Sequence, residues 1–577
     1  METTHFFSRQ MDDGIYLISA KEWIQKTSST NCWLIQGDTK ALLLDAGLPC
    51  KGLKEYVQTL VSKDLMLALT HGHFDHAGAI DEFDEIWMHE DDIELLKGTN
   101  GLPASPFHGI IHTIDEKDTI DLGNRFLKIY RIQGHTKGSL CFLDEKSKIL
   151  FSGDSIARRG FFTQVDSLPL SKYFDDLLKV ETLDFNKVAS CHDSYFLDKT
   201  QIYYFIHECI EGIYNPDGRW NLGKDWYLSI HRGINVEDPK YLSISILESC
   251  IDSIKEDISI WKENHKDYLQ YHTIDKDTTY HDLTLWNETK EYVYKFFLCR
   301  ESTWNVFSKM KVPYTSFNYI YTQFIKKQRI DYAFYTPEEM MEDPTKKDTG
   351  LFYFPANKEN APFIFLIPGG GYQSVCTAFE GIPIVKQLNE AGYTVFILQY
   401  RVRQVDLMPK PLKDAKRALS FIIKNKDYFK VNDNYAIMGF SAGAHLAGLL
   451  TTTNLGLTDI PYPKVNILCY PLIDMDLLMD NDISIKIKEA IGMNYPDEYS
   501  ITKHMDITYP PTYLWQCKDD DTVSIENSFR MSKKLESLNI PYKYVTYDTG
   551  GHGLMKEHDK EADKWLDLVI EFMKGYL

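Results

Sequence analysis

The stretch LALTHGHFDHAGAI places His71, His73 and His76 within six positions, with Asp75 among them. These are metal-ligand types, since a neutral imidazole offers a lone pair and a carboxylate offers oxygens. His71 and His73 stand two apart at the end of an apolar run, so on a strand end they face the same side. The turn that follows presents Asp75 and His76 to a neighbouring position. A polar loop explains one histidine well and four ligand-type residues poorly. Three more such residues each follow a strand-like run: His135 in IQGHTKGS, Asp154 in LFSGDS and His192 in VASCHDS. Taken singly, each reads as an ordinary turn residue. Together they supply five imidazoles and two carboxylates, enough for two first-row divalent ions and a bridging water.

A second constellation lies far downstream. YAIMGFSAGAHLAG has an apolar strand, the elbow Gly439-Phe440-Ser441-Ala442-Gly443 and then a helix-like run. The two glycines permit a tight strand-to-helix turn that lifts Ser441 above a sheet. Upstream, FLIPGGGY closes an apolar strand, and amides at Gly370 and Gly371, with that of Ala442, suit an oxyanion. Downstream, LWQCKDDDTVS ends a strand in acids and TYDTGGHGL ends the next at His552. Ser, acid, His is the chain order of a triad on the α/β-hydrolase fold. His445, on the helix after the elbow, reads as structural.

The elements that must position these residues are legible as apolar runs. GIYLI, NCWLIQGD, ALLLDAG, LMLALTHGH, FLKIYRIQGH and KILFSGD are strands delivering loops. From about residue 330, APFIFLIPGGGY, GYTVFILQYRV, the elbow segment, KVNILCYPL, PTYLWQCKDDDTV and YKYVTYDTGGHG alternate with helical stretches, which predicts a largely parallel sheet covered on both faces. Between them, Ile244, Leu247, Ile251, Ile254, Ile258 and Trp261 step by three and four, predicting one amphipathic helix, and LTLWNETKEYVYKFFL predicts another. No internal repeat relates the two ends.

At 577 residues the chain exceeds one core. A hydrophobic fraction of 44% with 25% charged residues excludes global disorder, and a net charge of −20 disfavours a nucleic-acid partner. METTHFFSRQMDDGIYLI carries no basic segment followed by a long apolar one, and no window reaches about 18 apolar residues, so neither a signal peptide nor a membrane partner is expected. Ten scattered cysteines without a C-x-x-C pair suit a reducing compartment, and the expected localisation is cytoplasmic.

Residues 10 to 205 resemble the metallo-β-lactamase superfamily, on THGHFDH, GHTKGS, SGDS and SCHDS in the family's order and approximate spacing. The resemblance implies an αββα sandwich with two divalent transition-metal ions, zinc first, with iron or manganese as alternatives. It implies His71, His73 and His135 around one ion, Asp75, His76 and His192 around the other, and Asp154 bridging; Asp75 is also a catalytic candidate. A carboxylate at Asp154 is similar to the glyoxalase II and lactonase branches, which implies a thioester, lactone or similar acyl substrate before a β-lactam. Residues from about 330 to 577 resemble the α/β-hydrolase superfamily, in its acetyl-esterase and carboxylesterase branches with PGGGY. This implies Ser441 as nucleophile, His552 as base and Asp520 as the acid, three residues before Val523, with Asp519 and Asp521 as alternatives.

The expectation is therefore an α/β multidomain chain: a metallohydrolase domain over 1–205, a mainly helical connector over 206–329, and a serine esterase domain with a mostly parallel sheet over 330–577. Two hydrolytic sites acting on small-molecule ester or acyl substrates are expected. The alternative is one activity, metal-dependent (β-lactamase-type included) or esterase, whose other domain binds substrate or serves as an oligomerisation scaffold. Homo-oligomer formation through the connector is a minority option.

Overall fold

The structure is a computed structural model and describes residues 5–24, 30–98, 103–162, 169–222, 224–234, 238, 241–286, 288–290, 293–325, 329–479, 481–492, 496–553 and 564–577. The chain divides into two compact units, Met1–Gln270 and Tyr271–Leu577. Among the described residues no helix is long and apolar enough to cross a membrane.

Among the described residues the first unit holds three sheets, two of which face each other across its core. Seven strands, running in sequence order from Phe6–Asp12 to Ile110–Thr113, make one. Six make the other, in the order Leu197–Asp198, Lys187–Ser190, Ile149–Gly153, Leu140–Asp144, Phe126–Arg131, Thr119–Asp121. Strand alternation explains how one apolar run serves two layers. In KALLL, Leu42 and Leu44 join Trp33, Phe142 and Phe151 in the core between the sheets. Ala41 and Leu43 face the opposite way and pack with Leu53 and Val57 of the helix Leu53–Leu60. Both faces of this sheet are therefore buried, which is why its central strands read as continuous apolar runs. Helices Leu170–Glu181 and Gln201–Tyr214 bury Tyr173, Phe174 and Phe205, and Tyr173 meets Phe205 edge to face.

The segment expected to be a helical connector is different. Leu242–Leu247 is a strand, paired in parallel with Arg159–Phe162 and antiparallel with Asp225–Arg232, in a four-stranded sheet of the first unit. The predicted single helix is thus a strand followed by the helix Ile251–Asn264. In LSISIL the apolar residues alternate, and that period-two pattern prevails over the three-four stepping that Ile244 and Leu247 share with the helix. LTLWNETKEYVYKFFL supplies the end of a short helix, Tyr280–Leu285, and a 3-10 turn, Val293–Phe297, with residues 287 and 291–292 outside the described ones. Tyr280, Leu283, Val293, Phe296, Phe317 and Tyr321 share a core with the sheet residues Phe352, Ile364 and Leu366. The described residues of 271–330 are therefore a layer of the second unit, and the chain divides within the expected connector, not at its ends.

Among its described residues the second unit holds one eight-stranded sheet, in the order Asp331–Tyr332, Gly350–Phe354, Thr394–Gln399, Ala361–Ile367, Val431–Phe440, Val465–Cys469, Thr512–Cys517, Tyr542–Tyr547. From Thr394–Gln399 onward every neighbouring pair is parallel. Parallel strands require crossovers, so their carboxyl ends gather loops from many parts of the sequence along one edge. Helix Ala442–Leu450, buried at every residue, follows the central strand directly.

Candidate active sites

In the first unit the seven candidate ligands follow four strand ends. His71, His73, Asp75 and His76 come after Asp64–Ala68, His135 after Phe126–Arg131, Asp154 after Ile149–Gly153, and His192 after Lys187–Ser190. His71 Nε2, His73 Nδ1 and His135 Nε2 lie 2.9 to 3.2 Å from one another. Burial, and then the neighbouring imidazoles, hold the pKa values of His71 and His73 well below normal. Neutral rings present lone pairs, and lone pairs converging this closely fit a cation held about 2 Å from each nitrogen.

The second group gathers around Asp154. Its Oδ1 is 3.3 Å from His76 Nε2, and its Oδ2 is 3.1 Å from His192 Nε2 and 3.5 Å from His135 Nε2. Asp75 Oδ2 is 3.7 Å from His192 Nε2 and 4.0 Å from His76 Nε2. Burial disfavours charge on His192, but Asp154 and Asp75 outweigh it and lift its pKa to about 9. Burial likewise opposes charge on Asp154, and His192 and His76 outweigh it, holding that carboxyl well below its usual range. His76 Nε2 and Asp154 Oδ1 are buried and make no hydrogen bond beyond facing each other at 3.3 Å, which a fully satisfied polar cluster would not leave. Overlapping sets, His71–His73–His135, His71–His76–Asp154 and Asp75–His76–His192, bring ligand atoms within 4.8 Å. The donor set fits divalent metal.

Two carboxylates that the sequence reading did not single out hold this cluster. Asp45, at the end of Lys40–Leu44, accepts from the amide of Thr70 at 2.7 Å and from the Thr70 hydroxyl at 2.8 Å, and meets His76 Nδ1 at 2.8 Å. Asp92 accepts from the amides of Gly72 and Gly138 at 3.1 and 2.8 Å and from the Thr136 hydroxyl at 2.6 Å. It therefore ties the His71–His73 loop to the His135 loop. Asp45 had a signal in ALLLDAG, an apolar run ending in an acid; Asp92 lies in EDDIELLK, among other acids, and had none.

In the second unit Ser441 closes the central strand with φ 52° and ψ −121°, a backbone conformation rare outside glycine. The elbow closes because its flanks lack side chains: a Cβ at Gly443 would fall 2.2 Å from the Ile367 carbonyl oxygen, and one at Gly439 2.4 Å from that of Gly443. His552 Nε2 lies 2.9 Å from Ser441 Oγ, and its Nδ1 lies 2.9 and 3.0 Å from the two oxygens of Asp520. Asp520 also accepts from the Thr522 and Val523 amides and from Gln516 Nε2, which fixes its plane. Burial raises its pKa, and His552 with these donors more than reverses that, for a net lowering.

The three consecutive acids separate by geometry. Asp519 accepts from the amides of Gly550 and Gly551 at 3.1 and 2.8 Å, on the loop carrying His552, while Asp521 is exposed and accepts from the Thr522 hydroxyl. Gly370 and Gly371, with φ of 126° and 59°, follow the strand Ala361–Ile367, and Ala442 starts the elbow helix. His445 has both ring nitrogens bonded, to the Tyr372 hydroxyl and to the Tyr499 carbonyl oxygen, each at 2.7 Å.

Known proteins resemble the two parts separately. Residues 26–192 match the metallo-beta-lactamase superfamily, and residues 351–535 match the BD-FAE family. The chain thus joins a metallo-β-lactamase domain to an α/β-hydrolase domain of the esterase kind. It is 31% identical over 218 residues to endo-1,4-beta-xylanase B of Butyrivibrio fibrisolvens, covering 35% of this chain and 34% of that one. It is 29% identical to acyl-coenzyme A thioesterase MBLAC2 of Gallus gallus, covering 31% of this chain and 74% of the relative. It is 27% identical to acetylxylan esterase of Xylanibacter ruminicola, covering 35% and 45%. The chain therefore spans about a third of the xylanase's length and under half of the acetylxylan esterase's.

Proposed function

We propose that the chain is a bifunctional hydrolase, with a dinuclear metal site cleaving an acyl bond and a serine triad cleaving short-chain carboxylic esters. The observation that carries this reading is the presence of two constellations in separate units: converging imidazoles beside Asp154 in one, and Ser441–His552–Asp520 in the other.

In the first unit His71, His73 and His135 would hold one ion, Asp75, His76 and His192 the other, and Asp154 would reach both; zinc suits these donors, with iron or manganese as alternatives. Divalent cations held there supply Lewis acidity toward an acyl oxygen and toward water. Asp45 fixes the His76 ring from behind, and Asp92 fixes the loops of His71, His73 and His135. The carboxylate at Asp154 and the relative named as an acyl-coenzyme A thioesterase support a thioester or lactone substrate.

In the second unit Ser441 Oγ attacks the ester carbonyl while His552 Nε2 takes its proton, and Asp520 holds the imidazole through Nδ1. Amides of Gly370, Gly371 and Ala442 receive the developing oxyanion. His552 then returns the proton to the leaving alcohol, and water releases the acyl group by the same route. The relatives named as xylanase and acetylxylan esterase support acylated sugars as the ester class. The ten free cysteines support a reducing compartment.

The test is a screen of esters, thioesters and lactones on the full chain, repeated with a chelator and with a serine-directed phosphonate. Two inhibition profiles on different substrates are expected. One inhibitor abolishing every activity would favour a single catalytic domain.

A further inference from the structure

Glu380 is a buried carboxylate that the triad does not use. It ends the short helical turn Thr377–Glu380, just after the glycine-rich loop. Its Oε2 accepts the amide N–H of Gly369, and its Oε1 accepts the Tyr470 hydroxyl at 2.9 Å. Gly369 is the residue before Gly370 and presses directly on the nucleophile: a Cβ added there would stand 2.8 Å from Ser441 Cβ and 2.5 Å from the Phe440 carbonyl oxygen. The carbonyl of Gly369 is bound as well, by the amide of Cys376 at 3.1 Å. The Cys376–Glu380 turn therefore grips both polar groups of that glycine.

The other arm reaches the base. Tyr470 has φ 37°, and the ring meets the His552 ring edge to face at 4.8 Å between centroids. Its backbone is fixed by the Trp515 carbonyl oxygen, 2.8 Å from the Tyr470 amide, and the preceding Cys469 carbonyl accepts the Ser441 amide at 3.0 Å. A phenol hydroxyl buried at this depth requires an acceptor. Glu380 provides it. One side chain thereby touches the loop that carries the oxyanion donors and the residue that backs the base.

We propose that Glu380 is a positioning residue of the esterase site: its carboxylate clamps the glycine-rich loop at Gly369 and, through Tyr470, the His552 ring, fixing the oxyanion donors against the base. The inference rests on the esterase reading above. Its physical warrant is the steep dependence of catalysis on placement, where a displacement of about 1 Å can cost about 10²-fold in rate. Glu380→Gln retains an acceptor for the Gly369 N–H but turns an N–H toward Tyr470 and leaves the phenol proton without its acceptor, so the two arms of the clamp are separable.

The experiment uses the full chain, a short-chain aryl ester, and a fluorescent phosphonate that titrates the reactive serine. Glu380→Ala is expected to lower kcat per titrated serine by about 10- to 100-fold with KM within about threefold, and to slow phosphonate labelling in parallel. Glu380→Gln, which keeps only the Gly369 arm, and Tyr470→Phe are each expected to lose about fivefold in kcat alone. A merely structural role would reduce the yield of folded protein and leave kcat per titrated serine unchanged. That result, or Glu380→Gln no better than Glu380→Ala, overturns the proposal. If Glu380→Ala does not fold, Tyr470→Phe decides, and wild-type kcat in that variant overturns it. Ser441→Ala run alongside separates the two failures: activity surviving there sinks the esterase reading itself.

Discussion

Asp45 Oδ2 lies 2.8 Å from His76 Nδ1, with both side chains buried, so the ring is turned to aim Nε2 at Asp154 and Asp75. The same oxygen also receives the Thr70 hydroxyl at 2.8 Å and the Cys191 thiol at 2.9 Å. A carboxylate behind a ligating imidazole fixes its tautomer and raises its basicity. Asp45→Asn is therefore expected to weaken metal retention by about 10- to 100-fold while the fold persists, because outer partners of ligands carry effects of that size. Competition with a chromophoric chelator measures it, and an unchanged affinity would refute the role.

The two sites should fail separately. His73→Ala and Asp75→Ala each remove a donor from the candidate metal cluster, so metal content and the chelator-sensitive activity should fall by at least about 10²-fold. Short-chain ester hydrolysis at Ser441 should stay within about twofold, because the triad lies in the other unit. Elemental analysis beside an ester assay reads both at once. Loss of both activities in a folded variant would show coupling between the units.

Much of this convergence of side chains was legible because chain-local patterns carry it. THGHFDH and GFSAGA each pack a strand end, a turn and reactive groups into one short window, so local propensity and site composition agree. The pairing of Asp520 with His552 across 32 positions was legible only as an order of residues. Choosing among Asp519, Asp520 and Asp521 required the turn that presents one of them to the imidazole. The segment 242–261 misled because Ile244 and Leu247 fit a helix stripe while LSISIL also alternates, and periodicity over a few residues cannot arbitrate between them. Its partner strand Arg159–Phe162 lies some 80 residues earlier, which no local window contains. Glu380 carried no signal, since its partners are a backbone amide and a distant tyrosine.

The consecutive acids should separate by kinetics as they do by geometry. Ser441→Ala is expected to lower kcat for the ester by about 10⁴-fold or more, since the attacking oxygen is gone. Asp520→Ala should approach that loss because the imidazole loses its orienting partner. Asp519→Ala should cost about tenfold, by loosening the Gly550–Gly551 turn ahead of His552. Asp521→Ala should leave kcat near wild type, its carboxylate being exposed. Steady-state kinetics on one aryl ester ranks all four, and a larger loss at Asp519 than at Asp520 would reverse the assignment of the acid.

His445 supplies a pH dependence with a definite sign. Burial pushes its pKa down to about 4, only partly offset by the bond to the Tyr499 carbonyl. An unfolded histidine titrates near 6.5, so between about pH 6.5 and 4 the unfolded chain binds a proton that the folded chain refuses. Stability from this residue is therefore full above about pH 6.5 and declines as pH falls, by at most about 3 kcal/mol near pH 4. In His445→Gln the melting temperature should be lower at pH 7.5, because two buried hydrogen bonds at 2.7 Å are disturbed. Its further decline from pH 7.5 to 5 should be shallower than that of the wild type. Thermal melts followed through the second unit's tryptophans, at both pH values and in both proteins, give the comparison directly. Equal slopes would mean that His445 takes up its proton in the fold as readily as in the unfolded chain.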